Sequence, residues 1–335
     1  MRRNGTQGGF RFGRIHSGRA YGGKTAGANA TAHREPAFSL FLFRFAANPA
    51  DVQPLEADEI RRAVQAALAE DIGSGDVTTL ATVPADATAI AIMRAREPLV
   101  VAGIDFAEAA FRELSSAVYV ERLTRDGERV PADAGLLKIS GPAGAILSAE
   151  RVGLNFVQRL SGVATLTAQF VDAIKGTSTE ILDTRKTTPG WRRFEKYAVA
   201  CGGGRNHRLG LYDMVLIKDN HLAALRDAKP NAIAAAVQRA RKQFPNLKVE
   251  VEADTLDQVA QATDAGADII LLDNMSPAQL REAVTLVAGR AKTEASGGVN
   301  LKTIADIAKT GVNFISVGAL THSARAVDIG LDFER

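Results

Sequence analysis

Residues 248–273 have the sequence KVEVEADTLDQVAQATDAGADIILLD. Short apolar runs at 248–252 and 269–273 predict two buried strands, and the segment 255–265 between them has the spacing of an amphipathic helix. Each strand ends on a carboxylate, Glu252 or Asp273. Two parallel strands need a crossover of about this length, so the stretch predicts one βαβ unit.

The same alternation continues on both sides of this unit. Further strands are predicted at 180–184, 214–218, 293–296 and 314–318, and further helices at 232–243, 277–288 and 301–310. Six strands are too few for an ordinary eight-stranded barrel. We therefore expect residues 161–320 to form an open or incomplete (β/α) barrel, which makes the fold class α/β.

Residues 51–160 show a different pattern. Helices are predicted at 58–70 and 104–114, and strands at 88–94, 99–102 and 117–123. A long linking helix is expected from 149 toward 175, with a loosened turn at Ser161-Gly162. We interpret residues 51–160 as an N-terminal α+β domain with this linking helix, and we expect residues 321–335 to pack back on it.

Charge divides the chain into two parts. The 335 residues carry a formal net charge of +3, but residues 1–50 hold eight Lys and Arg against one acid, Glu35. Subtracting this +7 leaves −4 for the rest of the chain, which removes the main electrostatic argument for nucleic-acid binding. We interpret residues 1–50 as a disordered basic leader and expect a cytoplasmic protein. A transit peptide for organelle import is the alternative, since such peptides are also rich in Arg and poor in acids.

Composition excludes several classes of protein. Hydrophobic residues are 46% and charged residues 24%, as in soluble globular proteins, and no apolar run reaches the roughly 20 residues that span a bilayer. Cys201 is the single cysteine, so an intramolecular disulfide is excluded. We expect Cys201 to be a small buried residue rather than a nucleophile, and residues 202–204 to form a closely approaching glycine loop.

Polar residues and glycines fall at or just past the C-terminal ends of the predicted strands. They are Asp183, Arg185, Lys218, Glu252, Asp273, Ser296 and Gly318. Ligands bind at this edge in parallel α/β folds, and six strands that all end in this way are hard to explain by solubility alone. The sequence therefore predicts a functional site at this edge.

A cationic group forms one part of the predicted site. Its members are Arg185, Lys186, His207, Arg208 and Lys218. Such a group repels itself unless a multiply anionic ligand neutralises it, and Arg binds carboxylates and phosphates through two parallel hydrogen bonds. Arg192, Arg193 and Lys196 are expected to be solvated surface charges instead.

An acidic pair and two glycine loops form the other part. Glu252 and Asp273 end neighbouring strands, where they could bind Mg²⁺ jointly, stabilise a developing cation, or only cap helices. Ser296-Gly297-Gly298 is expected at a helix N-terminus, where free N–H groups bind phosphate. Gly318-Ala319 follows the last strand and would complete a two-loop phosphate site.

Several motifs resemble the quinolinate phosphoribosyltransferase family. They are DTRKTTPG at 183–190, EKYAV at 195–199, GGGRNHRL at 202–209 and LIKDNH at 216–221, with support from GDVTT at 75–79, SGVAT at 161–165 and GALTH at 318–322. The resemblance covers about residues 56–333, and its motifs are long and specific. It implies a type II phosphoribosyltransferase-like fold, in which the leader has no place.

The resemblance implies transfer of a phosphoribosyl group from 5-phosphoribosyl 1-diphosphate to the nitrogen of quinolinate, with loss of the 2-carboxylate as CO₂. The products would be nicotinate mononucleotide and diphosphate, a step of NAD biosynthesis. Catalysis is assigned to Lys186, Glu252 and Asp273. Quinolinate binding is assigned to Arg185, Lys186, His207, Arg208 and Lys218, together with Arg151 of the partner subunit in a homodimer with shared sites.

Donor binding is assigned to the acidic pair and the two glycine loops. These residues are Glu252, Asp273, Ser296, Gly297, Gly298, Gly318 and Ala319, and the expected cofactor is Mg²⁺. The metal would be held by Glu252 and Asp273, directly or through water.

Other functions stay open from the residues alone. They are a related phosphoribosyltransferase-like protein of molybdenum transport, an enzyme that uses nicotinate, a non-catalytic phosphate-ligand binding protein, and an aldolase with Lys218 as Schiff base. Nicotinate has one carboxylate and would not need so many cations. A binding protein would not need both Glu252 and Asp273, and a Schiff-base lysine has to be desolvated or held among other cations.

Overall fold

The structure, a computed structural model, describes residues 54–334. The leader predicted at residues 1–50 lies outside them. Within the described residues, no helix is both long enough and apolar enough to cross a membrane.

The N-terminal part combines a four-stranded antiparallel sheet with helices. Its elements are α1 (Ala57–Ile72), α2 (Val77–Thr82), β1 (Thr88–Ala95), β2 (Leu99–Val100), α3 (Ile104–Leu114), β3 (Tyr119–Arg122), β4 (Arg129–Val130), β5 (Gly135–Pro142) and α4 (Ala143–Ala173). Alternate residues of β1, namely Ala91, Met93 and Ala95, are fully buried, so one face of the sheet packs on α3 and α4.

The C-terminal part contains a six-stranded parallel sheet with helical crossovers. Its elements are β6 (Glu180–Leu182), α5 (Arg192–Cys201), β7 (Val215–Ile217), α6 (Asp219–Ala223), α7 (Ala232–Gln243), β8 (Val249–Ala253), α8 (Leu256–Asp264), β9 (Ile269–Asp273), α9 (Pro277–Val287), β10 (Lys292–Ser296), α10 (Ile304–Ala308), β11 (Phe314–Ser316), α11 (Ala319–His322) and β12 (Ile329–Phe333). The strand order is β6-β11-β10-β9-β8-β7, so β6 and β7 lie at the two ends of the sheet, and beyond β6 the described residues add one bridge between Leu182 and Arg205. The predicted open barrel is therefore confirmed.

The last strand belongs to the first sheet. The order of the antiparallel sheet is β12-β1-β5-β3, in which Phe333 of β12 pairs with Ala91 of β1. Beside this pairing, the carboxylate of Glu97 binds the guanidinium of Arg325 and accepts the N–H of Asp328 at 2.8 Å. Residues after the barrel thus complete the N-terminal sheet.

Helix α4 links the two parts and runs unbroken through Ser161 and Gly162, so the loosened turn predicted there is wrong. Both residues serve close packing instead. The hydroxyl of Ser161 accepts the N–H of Ala102 at 2.9 Å. A Cβ on Gly162 would lie 2.0 Å from the carbonyl oxygen of Arg325, so the segment before β12 crosses the helix where only glycine fits.

An aromatic stack joins α3, α4 and the residue that precedes α5. Phe156 of α4 stacks on Phe106 of α3 at 4.7 Å between ring centroids, and on Trp191 at 5.0 Å. Trp191 immediately precedes α5 and follows the DTRKTTPG motif. The stack therefore fixes the end of the segment 183–190 against the core.

Candidate active site

Asp183 lies just past the end of β6, as predicted, and its side chain is fully buried. Its carboxylate accepts the side-chain N–H of Asn206 at 2.7 Å and the backbone N–H of His207 at 2.8 Å, and it pairs with the ammonium of Lys196. Lys196 is also buried, so the prediction that it is a solvated charge is wrong. The cause is that α5 packs behind the strand end and carries Lys196 inward.

Burial raises the pKa of Asp183 and lowers the pKa of Lys196, while the ion pair between them opposes both shifts. Lys196 also donates to the carbonyl oxygen of His207 at 3.0 Å. This buried pair therefore supports the segment that ends in Arg208 and brings it to the sheet edge.

Two guanidinium groups lie close enough at that edge for their charges to interact. Arg208 is partly buried, and burial together with the charge of Arg185 lowers its pKa. The Nε of Arg185 is buried and has no hydrogen-bond partner among residues 54–334. Such repulsion with an unused donor is what an anionic ligand would relieve.

His207 lies in a buried cluster with Glu250 of β8 and Glu294 of β10. Its Nε2 is 3.0 Å from a carboxylate oxygen of Glu250 and 3.5 Å from one of Glu294. Its Nδ1 accepts the N–H of Arg208 at 2.8 Å. Both ring nitrogens of His207 therefore already contact groups of the protein. A direct contact of His207 with substrate stays a prediction, and it would require one of these two contacts to change.

Burial and charge interactions within this cluster shift the pKa values of Glu250 and His207. Burial and the charge of Glu294 raise the pKa of Glu250 to about 7. Burial opposes protonation of His207, but the charges of Glu294 and Glu250 outweigh it and raise its pKa to about 10. Because Nδ1 accepts the N–H of Arg208, the ring proton of His207 lies on Nε2, beside the two carboxylates. One ligand atom from each residue lies within 4.8 Å of the others.

Lys218 and Glu252 meet across neighbouring strands. Lys218 follows β7 and its ammonium pairs with the carboxylate of Glu252 on β8. Asp273 lies on the next strand, where Glu252 is in register with Leu271, so Asp273 is about 6.6 Å further along the sheet. Asp273 accepts the side-chain N–H of Asn274 at 2.6 Å. The cationic and acidic parts predicted from the sequence are therefore in contact.

The first glycine loop differs from its prediction. Ser296 is in register with Asp273, but α10 begins only at Ile304, so Ser296-Gly297-Gly298 does not open a helix. Gly297 and Gly298 both have positive φ, and a Cβ on Gly297 would lie 2.2 Å from the amide oxygen of Asn274. The loop turns tightly over the sheet edge because no side chain fits there.

The second glycine loop touches the cationic group. Gly318 precedes α11, which begins at Ala319, and the hydroxyl of Thr321 donates to the carbonyl oxygen of Lys186 at 2.7 Å. A Cβ on Gly318 would lie 3.0 Å from Cδ of Lys186. The exposed side chain of Lys186 therefore runs across the start of this loop.

Arg151 lies elsewhere. It is exposed on α4, eight residues and about 12 Å along the helix axis before Arg159, whose guanidinium contacts the carbonyl oxygen of Thr321. Within the described residues, this part of α4 therefore does not place Arg151 at the sheet edge that carries the site of the same chain.

Cys201 is buried, as predicted, and burial raises the pKa of its thiol, which makes it a poor nucleophile. The glycine that follows it approaches the linking helix closely, because a Cβ on Gly202 would lie 2.4 Å from the carbonyl oxygen of Ala164.

The sequence reasoning missed Arg159, Glu195, Glu250 and Glu294. The last two carried a signal, since Glu250 precedes Glu252 by two residues and Glu294 precedes Ser296 by two. Alternate residues of a strand share a face, so both glutamates lie on the same face as the site, one step deeper. Glu195 opens the EKYAV motif at 195–199 but had no role assigned to it, and Arg159 carried no comparable pattern.

Comparisons with known proteins cover both parts of the fold. The family model of the quinolinate phosphoribosyl transferase N-terminal domain matches residues 76–161, and that of the C-terminal domain matches residues 163–332. The nicotinate-nucleotide pyrophosphorylase [carboxylating] of Mycobacterium leprae is 44% identical over 283 residues, which cover 83% of this chain and 98% of that protein.

A mitochondrial quinolinate phosphoribosyltransferase [decarboxylating] of Nicotiana glauca is 43% identical over 292 residues, which cover 82% of each chain. The solved structure of the nicotinate-nucleotide pyrophosphorylase from Francisella tularensis is similar with a TM-score of 0.79 and 42% identity, covering 84% of this chain and 99% of that one. Both family models and these relatives extend over the same two parts of the fold. This chain therefore belongs to the quinolinate phosphoribosyltransferase family.

Proposed function

We propose that this protein transfers phosphoribosyl from 5-phosphoribosyl 1-diphosphate to quinolinate and releases CO₂, diphosphate and nicotinate mononucleotide, a step of NAD biosynthesis. The observation that carries the proposal is the pairing of Lys218 with Glu252. It joins the residues assigned to the dianionic acceptor and those assigned to the sugar donor at one edge of the sheet.

The cationic group suits quinolinate, which has two adjacent carboxylates. The charges of Arg185 and Arg208 interact with one another, and these two residues would bind a carboxylate through charge-assisted hydrogen bonds. A fixed carboxylate orients the ring so that its nitrogen points at the anomeric carbon of the donor. The nitrogen–carbon bond then forms while the bond from that carbon to the diphosphate oxygen breaks.

Decarboxylation follows at the carbon next to the ring nitrogen. The bond between the ring carbon and the 2-carboxylate breaks, and CO₂ leaves. The electron pair of that bond stays on the ring carbon, which then takes a proton from solvent. The nitrogen is positively charged after phosphoribosyl transfer, and cations such as Lys186 and Lys218 beside the ring further stabilise the carbanion. Glu252 and Asp273 stabilise positive charge that develops at the anomeric carbon.

We propose Mg²⁺ as the cofactor. Carboxylate oxygens are the ligands that Mg²⁺ prefers, and it is usually bound by one or two carboxylates together with substrate phosphates. Glu252 and Asp273 fit this donor set, and the ammonium on Glu252 shows that this carboxylate already stabilises a cation. When bound, Mg²⁺ would neutralise the diphosphate leaving group.

We also propose a homodimer in which Arg151 of the partner subunit completes each site. Two observations support it. Arg151 is exposed on α4, and α2 packs on the same part of α4 through the 2.9 Å hydrogen bond of Ser148 to Asp76. Val77 and Leu80 of α2 are 75% and 77% exposed, and an apolar surface of this kind is typical of a subunit contact.

One assay tests the proposed reaction. Purified protein should consume quinolinate and release CO₂ and diphosphate in equal amounts, and chelation of Mg²⁺ should stop the reaction. Nicotinate in place of quinolinate distinguishes the nearest rival, since it lacks the carboxylate that leaves as CO₂. Turnover of nicotinate without turnover of quinolinate would contradict the proposal, and binding of both substrates without any turnover would favour a non-catalytic binding protein.

We place this activity in the cytoplasm. The prediction rests on the glycine-rich composition of residues 1–50, which opposes the amphipathic helix of a transit peptide. A fusion of residues 1–50 to a fluorescent protein should stay diffuse in the cell. Accumulation of the fusion in an organelle would contradict this localisation.

A further inference from the structure

Arg159 connects α4 with two other parts of the molecule. Its Nη2 donates to a carboxylate oxygen of Glu195 at 2.7 Å and also to the carbonyl oxygen of Thr321, and its Nη1 donates to the carbonyl oxygen of Ala324. Glu195 is fully buried and Arg159 is largely buried, so water screens this ion pair only weakly.

Glu195 uses the same carboxylate to hold the 183–190 loop, which carries Arg185 and Lys186. The hydroxyl of Thr188 donates to Oε1 of Glu195 at 2.8 Å, and the backbone N–H of Thr188 donates to Oε2 at 3.0 Å. Both oxygens of Glu195 are therefore occupied, one of them by a backbone group of the loop.

The circuit closes through the 318–321 segment, which contains the second glycine loop. Thr321 accepts from Arg159 through its carbonyl oxygen and donates from its hydroxyl to the carbonyl oxygen of Lys186 at 2.7 Å. The hydrogen bonds thus run from Arg159 to Glu195, along the 183–190 loop to Lys186, and back through Thr321. Neither loop can shift without breaking a contact of this circuit.

We propose that Arg159 and Glu195 are positioning residues that couple the acceptor subsite to the donor-phosphate subsite. The proposal rests on the proposed function, in which the 183–190 loop binds quinolinate and the 318–321 segment binds the phosphate of the donor. A ligand on either segment orders the shared circuit, so the second ligand binds to a site that is already arranged. Arg159 and Glu195 act through the two loops and need no contact with either substrate.

The test is the affinity for quinolinate with and without a ligand in the donor-phosphate subsite. Titration calorimetry should measure the dissociation constant of quinolinate alone and in saturating ribose 5-phosphate, a probe that cannot react. In the wild-type protein ribose 5-phosphate should tighten quinolinate binding by about fivefold or more. Glu195→Gln and Arg159→Gln should reduce this factor to below about twofold while quinolinate still binds.

Matched variants separate coupling from stability. Asp172→Asn removes another ion pair of α4, in which Asp172 binds Arg129 at 2.7 Å, and should leave the coupling factor unchanged. Arg159→Lys keeps a positive charge beside Glu195, but its single ammonium cannot reach Glu195, Thr321 and Ala324 together. This variant should therefore be more stable than Arg159→Gln and still lack the coupling. The double variant Arg159→Gln/Glu195→Gln avoids an unpaired buried charge, and it should fold and lack coupling.

Two results would overturn the inference alone: ribose 5-phosphate leaves quinolinate binding unchanged in the wild-type protein, or the Gln variants, the double variant included, keep the wild-type factor. Absence of any binding heat for quinolinate in the wild-type protein would overturn the proposed function and this inference together.

Discussion

The ammonium of Lys218 and the carboxylate of Glu252 form an ion pair across two neighbouring parallel strands. One residue belongs to the set assigned to the acceptor, the other to the set assigned to the donor. Because they share a contact, a change in either group alters the charge that the other presents. Their effects on activity should therefore not be additive.

The first prediction concerns the acidic pair. Glu252→Gln and Asp273→Asn should each lower kcat tenfold or more, a loss of at least about 1.4 kcal/mol in the barrier, while quinolinate still binds. The reason is that the amide keeps the shape of the side chain and removes its charge. Steady-state kinetics with the double variant Lys218→Met/Glu252→Gln should show a loss smaller than the sum of the two single losses.

Glu282→Gln on the exposed face of α9 is the control for this series and should match the wild-type protein. Full activity of both acidic variants would defeat the catalytic assignment. A loss of donor and Mg²⁺ affinity alone, with kcat intact at saturation, would restrict the pair to holding the metal.

The second prediction concerns the guanidinium groups of Arg185 and Arg208. Arg185→Ala and Arg208→Ala should each weaken quinolinate binding by about 2–4 kcal/mol, because a charge-assisted pair of hydrogen bonds to a carboxylate is lost. The KM for the phosphoribosyl donor should change much less. Quinolinate affinity within about threefold of wild type in both variants would show that these residues do not bind the acceptor.

The third prediction concerns the buried Lys196 beneath the site. Lys196→Met should lower the free energy of unfolding by about 3–5 kcal/mol, because it leaves the carboxylate of Asp183 buried without its ion-pair partner. Arg193→Met on the same helix removes only the 3.6 Å contact to Glu59 and should change stability by less than about 0.5 kcal/mol. Urea denaturation measures both values, and equal values for the two variants would contradict the structural role of Lys196.

The fourth prediction concerns acid stability at the end of the chain. The hydrogen bond from Arg325, together with the N–H of Asp328, lowers the pKa of Glu97 from 4.5 to about 2. A lowered carboxyl pKa stabilises the folded protein above about pH 4.5, and this contribution is lost as the pH falls through about 2. Glu97→Gln should therefore flatten the fall of stability between these pH values. Identical urea midpoints against pH for the variant and the wild-type protein would refute it.

The fifth prediction concerns the shared site. Arg151→Ala and Lys218→Ala homodimers should each be nearly inactive, and a refolded equal mixture should regain about one quarter of wild-type activity, since half the dimers are mixed and each has one intact site. Gel filtration with light scattering should show a dimer. A mixture that stays inactive would show that Arg151 serves the site of its own chain.

The sheet edge was predictable because strand length and helix spacing in the βαβ units are set by local patterns. The boundaries of β9 and α7 match their predictions. Polar residues at strand ends are also visible in sequence, since their position follows from the strand itself. The Lys218–Glu252 contact follows once two such strands are neighbours.

Burial by a distant element could not be predicted in this way. Lysine is a residue type that is usually exposed, and only the packing of α5 behind Asp183 buries Lys196. The strand β5 (Gly135–Pro142) was missed because its ends are Gly and Pro, which are typical of turns. The loosened turn expected at Ser161-Gly162 was wrong for a similar reason, since the residue against which Gly162 packs, Arg325, lies far along the sequence.

The pairing of β12 with β1 also sets an order of events during synthesis. A ribosome makes β1 early, but the strand that covers its open edge emerges only after the whole barrel has been made. Until then β1 is an exposed edge strand, which can pair with another chain. The nascent protein therefore depends on completion of its last strand, or on a chaperone, to keep its first sheet from aggregating.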